Sequence, residues 1–191
     1  MLKSFVWPAF ILMVLAQWWV PGQMIWYKQK VLDDGTSYKF LSAPVDPTDP
    51  FRGKFIILNF REDHITVAGN PDLPYGKKVY VGFVADKNGF ARIQSVNETR
   101  PDRKDYLETT ISFVSNKKDS ADIYINYPFS MYYLEEYKAP QAEKIYRERI
   151  IDSSQKTYAL VNLLNGDAVI KDVYVNDTLI QQVIKNRNQV R

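Results

Sequence analysis

Acid–base or metal chemistry in this chain would have to come from carboxylates, because the 191 residues include no cysteine and one histidine, His64. That composition removes thiolate nucleophiles, disulfides, Cys-ligated zinc and any cluster of histidine ligands. The candidate acids are Asp46, Asp49, Glu135, Glu136 and Glu143. A pair of them at the right separation could serve in hydrolysis or hold a hard cation such as calcium. Asp46 and Asp49, however, alternate with Pro44, Pro47 and Pro50, where turn capping accounts for them. Glu143 falls near a helix start, where the helix dipole favours it; Glu136 has no equally good local reason. His64 follows Glu62 and Asp63 and could act as a general base, but a lone histidine in a polar hairpin is more simply an exposed one. A Ser/Lys nucleophile needs a serine touching a desolvated lysine, and no local motif selects such a pair. Asn97-Glu-Thr99 and Asn176-Asp-Thr178 fit the glycosylation pattern, which arises easily by chance. No catalytic residue, metal ligand or cofactor is assigned.

The elements that must position these residues are mainly strands. The aromatic share of 14 % is high and weighted to tyrosine, which favours pleated surfaces. Thr36 to Ala43, the dense apolar run Phe55 to Phe60, Ile65 to Ala68, Tyr106 to Val114 and Ile123 to Tyr127 read as strands. Lys78 to Ala85 and Phe90 to Val96 flank Asp86-Lys-Asn-Gly89, and Thr157 to Leu164 and Ala168 to Val175 flank Asn165-Gly166; both read as hairpins. Leu179 to Ile184 is expected to add a strand, with the polar end from Lys185 fraying. A faint echo aligns residues 53–60 with 76–83, read as two strands entering one sheet. One short helix is expected after Pro140, with Ala142, Ile145, Tyr146 and Ile150 on its apolar face. The expected fold is therefore a compact antiparallel β-sandwich or barrel-like domain with one short helix.

The first 26 residues are far more apolar than the rest. Read to Ala16, they resemble a cleavable signal with Lys3 as its basic start. Read to Trp26, the run is about 22 residues, enough for ~30 Å of hydrocarbon. Trp18, Trp19, Trp26 and Tyr27 then form an interfacial belt, and Lys28 and Lys30 flank it. Pro21 and Gly22 argue against the longer reading, since they would kink or end a helix. The retained anchor is the favoured expectation, giving an anchor over 1–27 and a β-rich domain over 28–191. Lysines on both sides leave orientation nearly balanced; a short tail before a lone anchor sends the body outward, to the extracytoplasmic (periplasmic) side. The net charge of +3 is spread without a basic stripe, which argues against nucleic acid.

Pro44-Val-Asp-Pro-Thr-Asp-Pro-Phe-Arg-Gly-Lys-Phe-Ile-Ile-Leu-Asn-Phe60 resembles the signature of the GDYXXLXY proteins, an uncharacterised bacterial, membrane-associated family. The resemblance continues through Tyr132-Tyr-Leu-Glu-Glu136, Glu143 and the hairpin at Asn165-Gly166. Pro44, Asp46, Pro47, Asp49, Arg52, Gly53 and Leu58 match the signature, while Lys54 stands where it has Asp and Phe55 and Phe60 replace its two tyrosines. An amine cannot do a carboxylate's chemistry, so these departures favour a structural signature in which ring packing matters more than the phenol. The resemblance implies a multi-pass membrane protein as partner. The expected function is a membrane-anchored, non-enzymatic interaction domain; the alternative is a tethered hydrolase or small-ligand binder. Asp46, Asp49, Arg52, Gly53, Glu136 and Glu143 are the motif residues singled out, with Arg52 expected to pair with an acid from the 136–143 turn.

Overall fold

The apolar start of the chain forms one unbroken helix, α1 (Lys3–Asp34), in a computed structural model that describes residues 3–43, 55–135, 141–142, 144–146 and 156–189. Pro8 and Pro21 both lie inside α1, and the helix continues past Pro21-Gly22 instead of ending there. Among the described residues nothing covers its apolar stretch: Trp7, Trp18, Trp19 and Trp26 are each about two-thirds exposed or more. The last two turns behave differently. Val31 is fully buried, and the chain enters β1 (Thr36–Ala43) after the single residue Gly35.

Eleven more strands follow among the described residues, all paired antiparallel within their sheets. They are β2 (Phe55–Ile57), β3 (Asn59–Phe60), β4 (His64–Ala68), β5 (Lys78–Ala85), β6 (Ala91–Asn97), β7 (Tyr106–Asn116) and β8 (Ser120–Ile125). The last of them are β9 (Met131–Tyr133), β10 (Thr157–Leu164), β11 (Asp167–Val175) and β12 (Thr178–Leu179). One five-stranded sheet has the order β12-β11-β10-β1-β3, another β4-β8-β7-β5-β6, and β2 pairs with β9 as a separate two-stranded ladder. Isolated bridges Lys39↔Phe90 and Leu107↔Gly166 stitch the two large sheets together. Bulges at Gly82/Phe83, Ile111/Phe113 and Leu160/Val161 increase local twist, so the sheets curl toward a barrel.

The core centres on Phe40 of β1. Its ring lies 5.2 to 5.6 Å from those of Phe60, Phe83, Tyr127 and Phe129, all four edge-on to it at angles of 62° to 76°. Such geometry adds about 0.5–1.5 kcal/mol per pair beyond area burial. The helical residues 141–142 and 144–146 place Ala142, Ile145 and Tyr146 in this core, as the apolar spacing predicts.

Three expectations are corrected. The run 55–60 is two strands: Ile56, Leu58 and Phe60 all point inward, but β2 pairs with β9 while β3 pairs with β1. The residues of the 53–60 and 76–83 echo that are described therefore enter different sheets, with β5 lying between β7 and β6. At the end of the chain, Thr178 and Leu179 pair briefly with β11, and the rest of the expected strand is a helix, α2 (Ile180–Gln189). Ile180 and Ile184 are buried and Val183 packs beside them, an i, i+3, i+4 pattern that suits a helix seated on a sheet.

Candidate functional site

Asp46, Asp49, Arg52, Gly53, Glu136 and Glu143 lie outside the described residues, and so does the expected Arg52 pairing. His64 sits on the outer face of β4. Its Nδ1 is 2.7 Å from Asp63 Oδ1, and its ring stacks on Tyr124 at 4.8 Å. Asn176, of the second glycosylation-like triplet, is instead a turn residue with φ 48°, and its Oδ1 accepts from Lys156 N–H at 3.0 Å. Among the described residues no group of three or more His, Asp or Glu is placed to hold a metal ion.

The polar arrangement that the fold does build lies in the 98–105 connection between β6 and β7. Arg103 forks onto Asp105 through Nε at 2.7 Å and Nη2 at 2.5 Å. The same guanidinium donates to the Phe83 carbonyl and to Gln94 Oε1, both at 3.2 Å. Tyr38 O–H donates at 2.7 Å to Oδ2, the oxygen that also accepts from Arg103 Nη2. Gly82 lies beside this fork; a Cβ there would crowd Ser95 Oγ at 2.9 Å and meet Arg103 Nη1 in ordinary contact at 3.5 Å. The Arg103 hydrogen bonds hold the Asp105 carboxyl down at about 2, against the opposing effect of burial. Burial first and Asp105 second push the Tyr38 phenol up to about 12. Near neutral pH none of the three exchanges a proton, so the cluster is a clamp and not an acid–base site.

The clamp shapes an open groove of about 440 Å³, lined by Arg100, Pro101, Asp102, Arg103, Lys104 and Asn165. Arg100 packs over the Tyr106 ring at 5.6 Å. Asn165 belongs to the β10–β11 turn, where φ of 52° and 93° at Asn165 and Gly166 give the two-residue turn that matches strand twist. That turn reaches in two directions. Toward the groove, Asn165 N–H donates to Lys104 O at 2.6 Å and Gly166 N–H to Tyr106 O at 3.2 Å. Toward the helix, Asp167 Oδ1 meets Lys28 Nζ at 2.6 Å. Tyr27 lies within electrostatic reach of Arg100, Tyr106 and Asp167. Beside this contact Asn162 donates to Leu32 O at 2.7 Å and accepts from Ser37 Oγ at 2.6 Å. Residues from Tyr27 to Asn165 thus place the groove at the end of α1.

Nothing local in the sequence announces the clamp, because Tyr38 joins it from 67 residues away. The one legible signal is the density of charge in Arg100-Pro-Asp-Arg-Lys-Asp105.

A near-barrel β domain fused without a linker to a long, exposed apolar helix is the class of protein that fold and site define. The chain belongs to the GDYXXLXY protein family, whose sequence model matches residues 17–173. No curated protein and no solved structure matches it. Those signature positions that are described serve packing: Leu58 is buried, and Phe60 sits 5.2 Å from Tyr127 and 5.5 Å from Phe40 and Phe129. Tyr132, of the second motif, is buried; its hydroxyl donates to Asp172 at 3.2 Å and accepts from Gln181 at 3.4 Å, joining β9 to β11 and α2.

Proposed function

We propose that this protein is a membrane-anchored, non-enzymatic accessory domain that acts with an integral, multi-pass membrane partner, its β domain on the extracytoplasmic side. The observation that carries the reading is α1 itself: from Trp7 onward it is long and apolar enough to cross a bilayer, and its apolar window has no burial against the domain. Cleavage after Ala16 would leave Trp18, Trp19, Val20, Met24, Ile25 and Trp26 on the mature protein, each at least 58 % exposed. Six large apolar side chains in water are a liability, and in hydrocarbon they are an anchor. The helix also ends in contact with the sheet, so the domain is held at the membrane surface. A clamp of Arg103, Asp105 and Tyr38 without an exchangeable proton suits recognition better than catalysis.

The test is one purification. Membranes are washed with alkaline carbonate, dissolved in mild detergent and passed over an affinity tag at the C-terminus, followed by mass spectrometry. The reading expects the chain to stay with the membranes with its N-terminal segment attached and to bring down a stoichiometric multi-pass protein. A soluble protein beginning near Gln17 overturns the anchor, and an anchored protein that purifies alone overturns the partner.

A further inference from the structure

We propose that the groove formed by Arg100, Asp102, Lys104 and Asn165 receives the phosphate-bearing headgroup of an anionic lipid, in the leaflet from which α1 emerges. The inference rests on the membrane reading of α1 and deepens it, because it names the surface that meets the bilayer.

Position is the first argument. The apolar run from Phe5 to Trp26 is about 33 Å long at 1.5 Å per residue, close to the thickness of the hydrocarbon. Tyr27 and Lys28 therefore stand at headgroup level. Lys28 is bonded to Asp167, two residues along the same turn from Asn165, whose N–H is bonded to Lys104. Arg100 is within electrostatic reach of Tyr27. Because only Gly35 separates α1 from β1, and Val31 and Asn162 fix that joint, the domain presents this face to the membrane.

Charge is the second argument. Arg103 is committed to Asp105, which leaves Arg100 and Lys104 as the exposed cations of the groove, against the single acid Asp102. Each basic side chain near an anionic surface contributes about 1 kcal/mol. An open groove with two such cations holds a free phosphate only weakly in solution. A tethered domain meets headgroups at a high effective concentration, and that favours the lipid.

The experiment uses the full chain in nanodiscs of phosphatidylcholine alone or mixed with phosphatidylglycerol. The readout is the acylation rate of Lys104 by peptide mass spectrometry, with Lys118, on the distant β7–β8 turn, as internal reference. The expected result is acylation of Lys104 about fivefold slower in the anionic discs, with Lys118 unchanged. R100E should abolish the difference and R100Q should reduce it, while an unchanged circular-dichroism spectrum reports an intact fold. Equal Lys104 rates in the two kinds of disc, with the chain inserted in both, overturn the headgroup site and leave the anchor standing. Equal slowing by inorganic phosphate in phosphatidylcholine discs overturns it in favour of a soluble anion. A chain that does not travel with discs at all removes the membrane reading, and the site with it.

Discussion

Lys28 Nζ and Asp167 Oδ1 lie 2.6 Å apart across 139 residues of sequence, which ties the emerging helix to the tip of the β10–β11 hairpin. Both side chains are close to half exposed. Solvent screens such a pair, so K28Q and D167N should show a coupling of at most about 0.5 kcal/mol in a double-mutant cycle. The buried part of the joint carries more. N162A strands the Leu32 carbonyl and the Ser37 hydroxyl and should cost about 2 kcal/mol. G35A should cost about 2–4 kcal/mol, since its Cβ would fall 2.3 Å from the Val31 carbonyl oxygen. Chemical denaturation of the detergent-solubilised chain measures all four.

The same joint decides where the domain begins. A fragment starting at Leu32 discards Val31, which is fully buried. A fragment starting at Tyr27 keeps it, together with Lys28. The longer fragment should be more stable by about 1.5–3 kcal/mol, the value of burying one such side chain. Urea midpoints at equal m-value would show this, and identical midpoints would count against a packed helix end.

Asp105 gives a pH signature. Its folded pKa is lowered to about 2, well below the usual carboxylate range, so the carboxylate stabilises the fold above its unfolded pKa. That contribution is lost as pH falls through the folded value. The wild-type chain should therefore lose about 1–2 kcal/mol between roughly pH 5 and pH 2 that D105N does not lose. Tyr38 carries the opposite sign: its pKa is raised to about 12, so its contribution is present below pH 10 and fades as pH rises toward 12. Y38F should flatten the alkaline limb and also shrink the acid limb, because the Tyr38 hydroxyl helps to hold the Asp105 carboxyl down. Thermal unfolding across pH for the two variants separates the two limbs.

Gly166 answers two demands at once. Its φ is 93°, and a Cβ there would lie 3.0 Å from both Glu108 Cβ and Tyr106 Cε2. G166A should cost about 2–3 kcal/mol, whereas G69A, with φ of 76° and open space around it, should cost about 1 kcal/mol. Denaturation midpoints for the two variants give the comparison directly.

The C-terminal helix is tested by I180A and I184A. Both side chains are buried in the core, and each truncation should cost about 2–5 kcal/mol. A strand exposed at a sheet edge would lose much less, so the size of the loss distinguishes the two structures.

Much of the fold was legible because its signals are local. β1 spans Thr36–Ala43 as the alternation predicts, β5 spans Lys78–Ala85, and the turns at Asp86 and Asn165 fall where their sequences put them. Asp86 shows why such turns read so well: its own carboxylate accepts from Asn88 N–H and Phe90 N–H, at 2.8 and 2.9 Å. The strand expected over 179–184 failed for a related reason. Six residues are too few for a period to declare itself, and the helical spacing of Ile180, Val183 and Ile184 around Gln181 and Gln182 takes effect when a sheet face lies beneath it.

The motif residues were legible as a family signature, and Leu58 and Phe60 carry it into the core. The groove was not, because no residue in 100–104 reports from sequence that Asn165 and Lys28 are its neighbours.

What the sequence determined by itself was therefore an apolar helix, a set of strands with a buried and an open face, and the turns between several of them. These follow from steric and hydrophobic preferences that act within a few residues. Only the tertiary structure decided that β1 pairs with β10 and β3, that 55–60 changes partners at Leu58, and that Arg103, Asp105 and Tyr38 meet. A period of two says which face of a strand is buried but not which strand lies beside it. That choice is made by contacts between distant residues, whose energies appear only when the whole core closes.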